Sequence, residues 1–80
     1  MNWDYSVSPA ARKFLSRIPK IDAASILDAI EDLATDPCAV DIQKLGGISW
    51  RKRVGSYRIK FEIKQAEHNC HVYEIERRTT

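Results

Sequence analysis

Arg51, Arg53, Arg58 and Lys60 recur at alternate positions along two consecutive β-rich runs, with Lys44, Lys52, Arg77 and Arg78 around them in the chain. No acid interrupts the stretch between Asp41 and Glu62. A cation density of this kind attracts phosphate or an acidic polypeptide, and an arginine fork donates two parallel hydrogen bonds to phosphate oxygens. If Trp50 and Val54 turn inward with Tyr57, Ile59 and Phe61, the period of a strand sends Arg51, Arg53, Arg58 and Lys60 together to the opposite face. Side chains opposed across a hairpin stand about 5 Å apart, where like charges repel, so an anion in their midst would relieve the cluster. The expectation is a phosphate-binding sheet surface. The plainer alternative, a wet face kept soluble by Arg and Lys, suits an isolated pair better than four cations on adjacent strands.

Other chemistry is weakly supported. Cys38, Cys70, His68 and His71 lack the paired spacing of a structural zinc site, so no metal is expected. Cys70 and His71 are neighbours on an expected strand and point apart, which argues against a nucleophile and base pair. Trp50 could stack on a nucleobase, but its place in the inward row favours core packing.

The elements that must position these residues follow from periodicity and capping. Trp3, Tyr5 and Val7 alternate with polar residues and predict a strand over 3–7. Ser8 followed by Pro9 is an N-cap and first-turn signal for a short helix whose stripe is Ala10, Ala11, Phe14, Leu15 and Ile18, stopped by Pro19. Asp22 is expected to cap a second helix carrying Ile26, Leu27, Ile30, Leu33 and Ala34, ending near Thr35 before Pro37. A loop then leads through Lys44-Leu45-Gly46-Gly47 into a strand over 48–54, a tight turn at Gly55-Ser56, and a strand over 57–64 with a clean in-out alternation. A last strand spans 70–77, in which Val72, Tyr73 and Ile75 do not resolve one buried face. The order β-α-α-β-β-β predicts an α+β domain with a helical hairpin packed on a mainly antiparallel sheet.

Composition bounds the function classes. Eighty residues, 44% hydrophobic, are expected to form one domain over 1–80 with a small core, which makes stabilisation by a partner plausible. The apolar content is too high and the net charge of +2 too small for a disordered chain, and two Cys cannot staple a secreted mini-protein. No apolar run approaches the ~18 residues of a membrane span, and the N-terminus has neither a basic start nor an apolar core, so a cytoplasmic protein without membrane attachment is expected. Charge is split: the first forty residues sum to −2 and the second forty to +4.

On Ser8-Pro9-Ala10-Ala11-Arg12-Lys13-Phe14-Leu15, Leu33-Ala34-Thr35-Asp36-Pro37, Lys44-Leu45-Gly46-Gly47, the block from Trp50 to Ile63, and Val72-Tyr73-Glu74-Ile75-Glu76-Arg77-Arg78, the chain resembles the RelE/ParE toxin superfamily of bacterial toxin–antitoxin modules. Within it, the resemblance is to RelE-like ribosome-dependent mRNA endonucleases, and "R-x-R-V-G-x-Y-R" is its specific part. It implies docking in the ribosomal A site and cleavage of mRNA by attack of the substrate's own 2′-OH on the adjacent phosphate, without metal or cofactor. By position it implies that Arg58 stabilises the phosphate, that Arg51 and Arg53 match basic positions on the preceding strand, and that Arg78 matches the last-strand arginine, with Arg77 beside it. Lys44, Lys52 and Lys60 are expected to add RNA-binding charge. It also implies a cognate antitoxin, a small protein whose partly disordered acidic or amphipathic segment folds along the toxin. Arg51 stands where the best-known member has a lysine base, and an always-protonated guanidinium is a poor proton acceptor, so the base is unassigned, to be supplied by a neighbour such as Lys52, Glu74 or Tyr73 or by ribosomal RNA. Many members also carry a Tyr or His in a tail beyond the final arginine, where this chain ends at Thr80. The alternatives are a ParE-like DNA gyrase inhibitor and a catalytically weakened RNA-binding relative.

Overall fold

Burial along one strand sets the architecture. In the computed structural model, Tyr57, Ile59, Phe61 and Ile63 are each at most 5% exposed, while Arg58, Lys60, Glu62 and Lys64 between them remain partly accessible. The strand β4 (Tyr57–Lys64) therefore has a dry face and a wet one. The structure describes residues 3–35 and 42–77. The expected site residue Arg78, like Cys38, lies outside the described residues.

The other elements are β1 (Asp4–Val7), α1 (Pro9–Arg17), α2 (Lys20–Thr35), β2 (Ile42–Gly46), β3 (Ser49–Val54) and β5 (Asn69–Arg77), with a short 3₁₀ turn at Gln65–Glu67. The five strands form one sheet in the order β1-β5-β4-β3-β2. Only β1 and β5 run parallel, and the remaining neighbours are antiparallel. This is the expected α+β arrangement with one strand more than the sequence suggested. The added strand, β2, occupies an edge where only Ile42 is partly buried, so it carries almost no in-out alternation to betray it.

Both helices cover the same side of the sheet. Ser8 caps α1 by accepting a hydrogen bond from the Ala11 amide at 3.2 Å, and Pro9 fills the first helical position, as the sequence predicts. α2 begins three residues earlier than expected, at Lys20 rather than after an Asp22 cap. The Pro19 carbonyl already accepts from the Ala23 amide at 3.0 Å, which places Asp22 inside the first turn, where a carboxylate suits the helix dipole. The buried stripe of α2 is Ile26, Ala29, Ile30, Leu33 and Ala34, and Leu27 is 40% exposed rather than part of it. These residues close on Ile59, Phe61, Val72 and Ile75 to make the core.

β5 explains why its sequence pattern resists assignment. Lys60 pairs with Glu74 but Phe61 pairs with Val72, so Tyr73 is an extra residue bulged out of the register. The bulge changes the period by one and lets Cys70, Val72 and Ile75 all reach the core.

Candidate functional site

The site is built on the wet face, where β3 and β4 pair so that Arg51 opposes Lys60 and Arg53 opposes Arg58. The four cations named from the sequence therefore share one surface. Gln43 on β2 opposes Arg51 and binds it through one oxygen, with Arg51 Nε and Nη2 donating to Gln43 Oε1 at 3.1 and 2.5 Å. This contact spreads and orients the Arg51 guanidinium. Ile42, Gln43, Arg51, Arg53 and Arg58 line a shallow cleft of about 360 Å³. Arg58, one of the lining residues, has a buried Nε with no hydrogen-bond partner among the described residues. A buried donor without an acceptor is costly, and an anion entering the cleft would supply one.

The sequence stretch free of acids is not free of them in space. Because β5 neighbours β4, Glu76 opposes Arg58 and Glu74 opposes Lys60. Lys60 Nζ lies 3.0 Å from Glu74 Oε1 and 3.6 Å from Glu76 Oε1, and Arg58 Nη1 lies 3.9 Å from Glu76 Oε1. The hydrogen bond that Lys60 donates to Glu74 holds its ammonium above its ordinary pKa, against a smaller opposing effect of burial. The face is thus graded, with arginines that have no ion pair among the described residues toward β3 and ion-paired cations toward β5. Further along, the Tyr73 hydroxyl lies 3.2 Å from Ser49 Oγ, and His71 Nδ1 lies 2.7 Å from Ser6 Oγ.

Three expected phosphate ligands sit elsewhere. Lys52 opposes Ile59 and Lys44 opposes Trp50, which puts both on the helix side of the sheet. Lys44 Nζ lies 5.7 Å from the Trp50 ring centroid, and Trp50 packs against the core. Arg77 opposes Tyr57, also on the helix side. Its Nη2 donates to the Tyr57 hydroxyl at 3.1 Å, and that hydroxyl donates to Asp22 Oδ2 at 2.8 Å. The bond to Tyr57 raises the Arg77 pKa. Asp22, Tyr57 and Arg77 tie the start of α2 to the end of β5, and replacing the hydroxyl should loosen both. Tyr57→Phe is expected to lower unfolding free energy by about 1.5 kcal/mol, measured as a lower urea midpoint at unchanged slope. Among the residues the sequence did not single out, Gln43 and Glu76 join the site. Gln43 stands at the start of the acid-free stretch and Glu76 far outside it, and strand pairing brings both to the site.

No protein-family model and no curated protein matches the chain. Solved structures do. A chain of the archaeal RelE–RelB complex from Pyrococcus horikoshii superposes with a TM-score of 0.88 at 21% identity, covering 98% of this chain and 97% of that one. A chain of the toxin–antitoxin complex RelBE2 from Mycobacterium tuberculosis gives 0.87 at 19% identity over 100% and 95%. The isolated RelE toxin of E. coli gives 0.85 at 9% identity over 98% and 86%. The fold is that of the RelE toxins.

Proposed function

We propose that this chain is the toxin of a toxin–antitoxin pair and acts as an endoribonuclease that cuts mRNA on the ribosome. The observation that carries the reading is the cleft lined by Arg51, Arg53 and Arg58, with the Arg58 Nε buried and without a hydrogen-bond partner among the described residues. Attack of a ribose 2′-OH on its own phosphate needs no external nucleophile. The protein has to neutralise the negative charge that grows on the phosphate oxygens, and fixed guanidinium donors do this without reorganising. The fold shared with RelE toxins supports the same reading.

The shallowness of the cleft bears on the substrate. With about 360 Å³ and five lining residues, the site grips a phosphate but cannot by itself force a flexible RNA strand into the in-line geometry that the reaction requires. Holding reacting atoms in near-attack positions contributes several kcal/mol to such reactions, and a ribosome presenting a codon in a fixed conformation would provide that positioning. The partner in the cell would be a RelB-like antitoxin, in keeping with the complexes in which the similar chains occur. No helix among the described residues is long and apolar enough to cross a membrane.

Primer-extension mapping of mRNA incubated with purified ribosomes and this protein tests the proposal. Cuts should fall within A-site codons and vanish when ribosomes are left out. A folded protein that cuts in neither lane would exclude cleavage and leave RNA binding as the role of the basic face.

A further inference from the structure

We infer that Glu76 is the general base that takes the 2′-OH proton in this reaction. The inference rests on the endonuclease reading above and adds to it the one role that the cationic face cannot fill. Arginine stays protonated and holds no lone pair for a proton, and Lys60, the lysine beside Glu76, is held in its charged form by its hydrogen bond to Glu74. The acceptor must be a carboxylate, an imidazole or a phenolate within hydrogen-bond reach of the ribose whose phosphate Arg58 holds.

Strand register restricts the candidates. Glu76 faces Arg58 directly, with its Oε1 3.9 Å from Arg58 Nη1 and 3.6 Å from Lys60 Nζ. Both contacts exceed hydrogen-bond length, and the Glu76 side chain is 36% exposed on the wet face. Its carboxylate can therefore turn to a ligand while staying among cations. Glu74 is instead held by Lys60 at 3.0 Å, and it borders a second depression with Lys13 and Arg17 of α1. The Tyr73 hydroxyl is engaged with Ser49, and His71 with Ser6. His71 also opposes Glu62, four residues along β4 from Arg58, which is about 13 Å at the rise of a strand.

The geometry fits one ribose and its 3′-phosphate. A guanidinium holds a phosphate oxygen at about 2.8 Å, and the attacking 2′-oxygen stands roughly 3–3.5 Å from phosphorus. A base beside that guanidinium can thus meet the 2′-OH without any movement of the backbone. In the step, the O2′–H bond breaks and its proton passes to the Glu76 carboxylate. The freed electron pair forms the O2′–P bond, and the P–O5′ bond breaks with its pair moving to O5′. Water protonates O5′, and the hydroxide so formed takes the proton back from Glu76. The products are a 2′,3′-cyclic phosphate and a 5′-hydroxyl. Arg58 and Arg53 take up the charge on the phosphate, and Lys60 holds the β5 side of the site in register.

Single-turnover cleavage of mRNA on purified ribosomes tests the assignment with four proteins. Glu76→Gln should cut at the same positions but about 10²–10⁴-fold more slowly, with unchanged thermal melting. Glu76→Ala should show the same loss and recover part of its rate when formate is added as a diffusible carboxylate. Glu67→Gln, at an exposed carboxylate of the 3₁₀ turn away from the site, should stay within a few-fold of the parent. If the parent protein cuts and Glu76→Gln cuts equally fast or faster, Glu76 merely offsets the charge of Arg58, and the endonuclease reading stands without it. Loss in both Glu76 variants with no response to formate would make Glu76 a positioning residue and overturn its role as base. A parent protein that does not cut at all overturns the endonuclease reading and this assignment together.

Discussion

Arg58→Ala is expected to slow ribosome-dependent cleavage by about 10²–10³-fold, the usual loss on removing one preorganised donor from a developing oxyanion, while Lys52→Ala leaves the rate within a few-fold. The two residues lie close in the chain and carry the same charge, so total charge does not separate them. What separates them is the sheet. Arg58 projects from the wet face of the central strand, with Arg53 opposite, and lines the cleft. Lys52 opposes Ile59 on the helix side. Single-turnover rates on ribosome-bound mRNA, taken at one ionic strength, decide between local chemistry and general attraction. Equal losses in the two variants would mean that the protein uses its charge only to approach RNA, since surface charge acts over about a Debye length, near 10 Å at 0.1 M salt, regardless of face. Arg58→Lys should recover only part of the rate, because an ammonium cannot reproduce the two parallel bonds of a guanidinium to phosphate.

That contrast also marks how far the sequence could be read. β4 is legible because it is central, dry on one side and wet on the other, so each of its residues reports its direction. The Ser8-Pro9 start of α1 and the Gly55-Ser56 turn are legible because each rests on local chemistry, a cap hydroxyl and a backbone at φ +56°. The cluster of Arg51, Arg53, Arg58 and Lys60 follows from the same local alternation. Features that depend on which strand lies beside which are hidden. Glu74 and Glu76 are sequence-distant from the basic run and reach it only because β5 is inserted between β1 and β4. Gln43 reaches Arg51 from an edge strand that has too little buried surface to leave a pattern. Proximity in the chain groups Lys44, Lys52 and Arg77 with the site, whereas a residue's face is decided by parity along its strand. The bulge at Tyr73 changes that parity within β5, which no count along the sequence reveals.

Phe61→Ala should be the most destabilising single truncation in the core, at about 3–5 kcal/mol. Phe61 is 0% exposed and is the largest fully buried side chain, on the central strand beside the β5 bulge, between Val72 and Trp50 in the register. A core of this size rarely supplies more than about 3–5 kcal/mol in total, so the variant should lack a cooperative urea transition at 25 °C. Leu27→Ala supplies the contrast. Leu27 looks equivalent in the helical stripe of the sequence, yet it is 40% exposed, and its truncation should cost under about 1 kcal/mol, since surface substitutions rarely cost more. Urea unfolding followed by far-UV circular dichroism separates these outcomes. If Phe61→Ala melted within 1 kcal/mol of the parent, the layer of α1 and α2 would not be anchored on β4, and the site on its other face would lose its rigid floor. The pair of variants also protects the functional tests. Phe61→Ala should lose cleavage because it unfolds, and any ligand that binds only the folded chain should restore its structure by mass action. Arg58→Ala and Glu76→Gln should lose cleavage with the parental melting curve intact, which assigns their losses to the open face of the sheet.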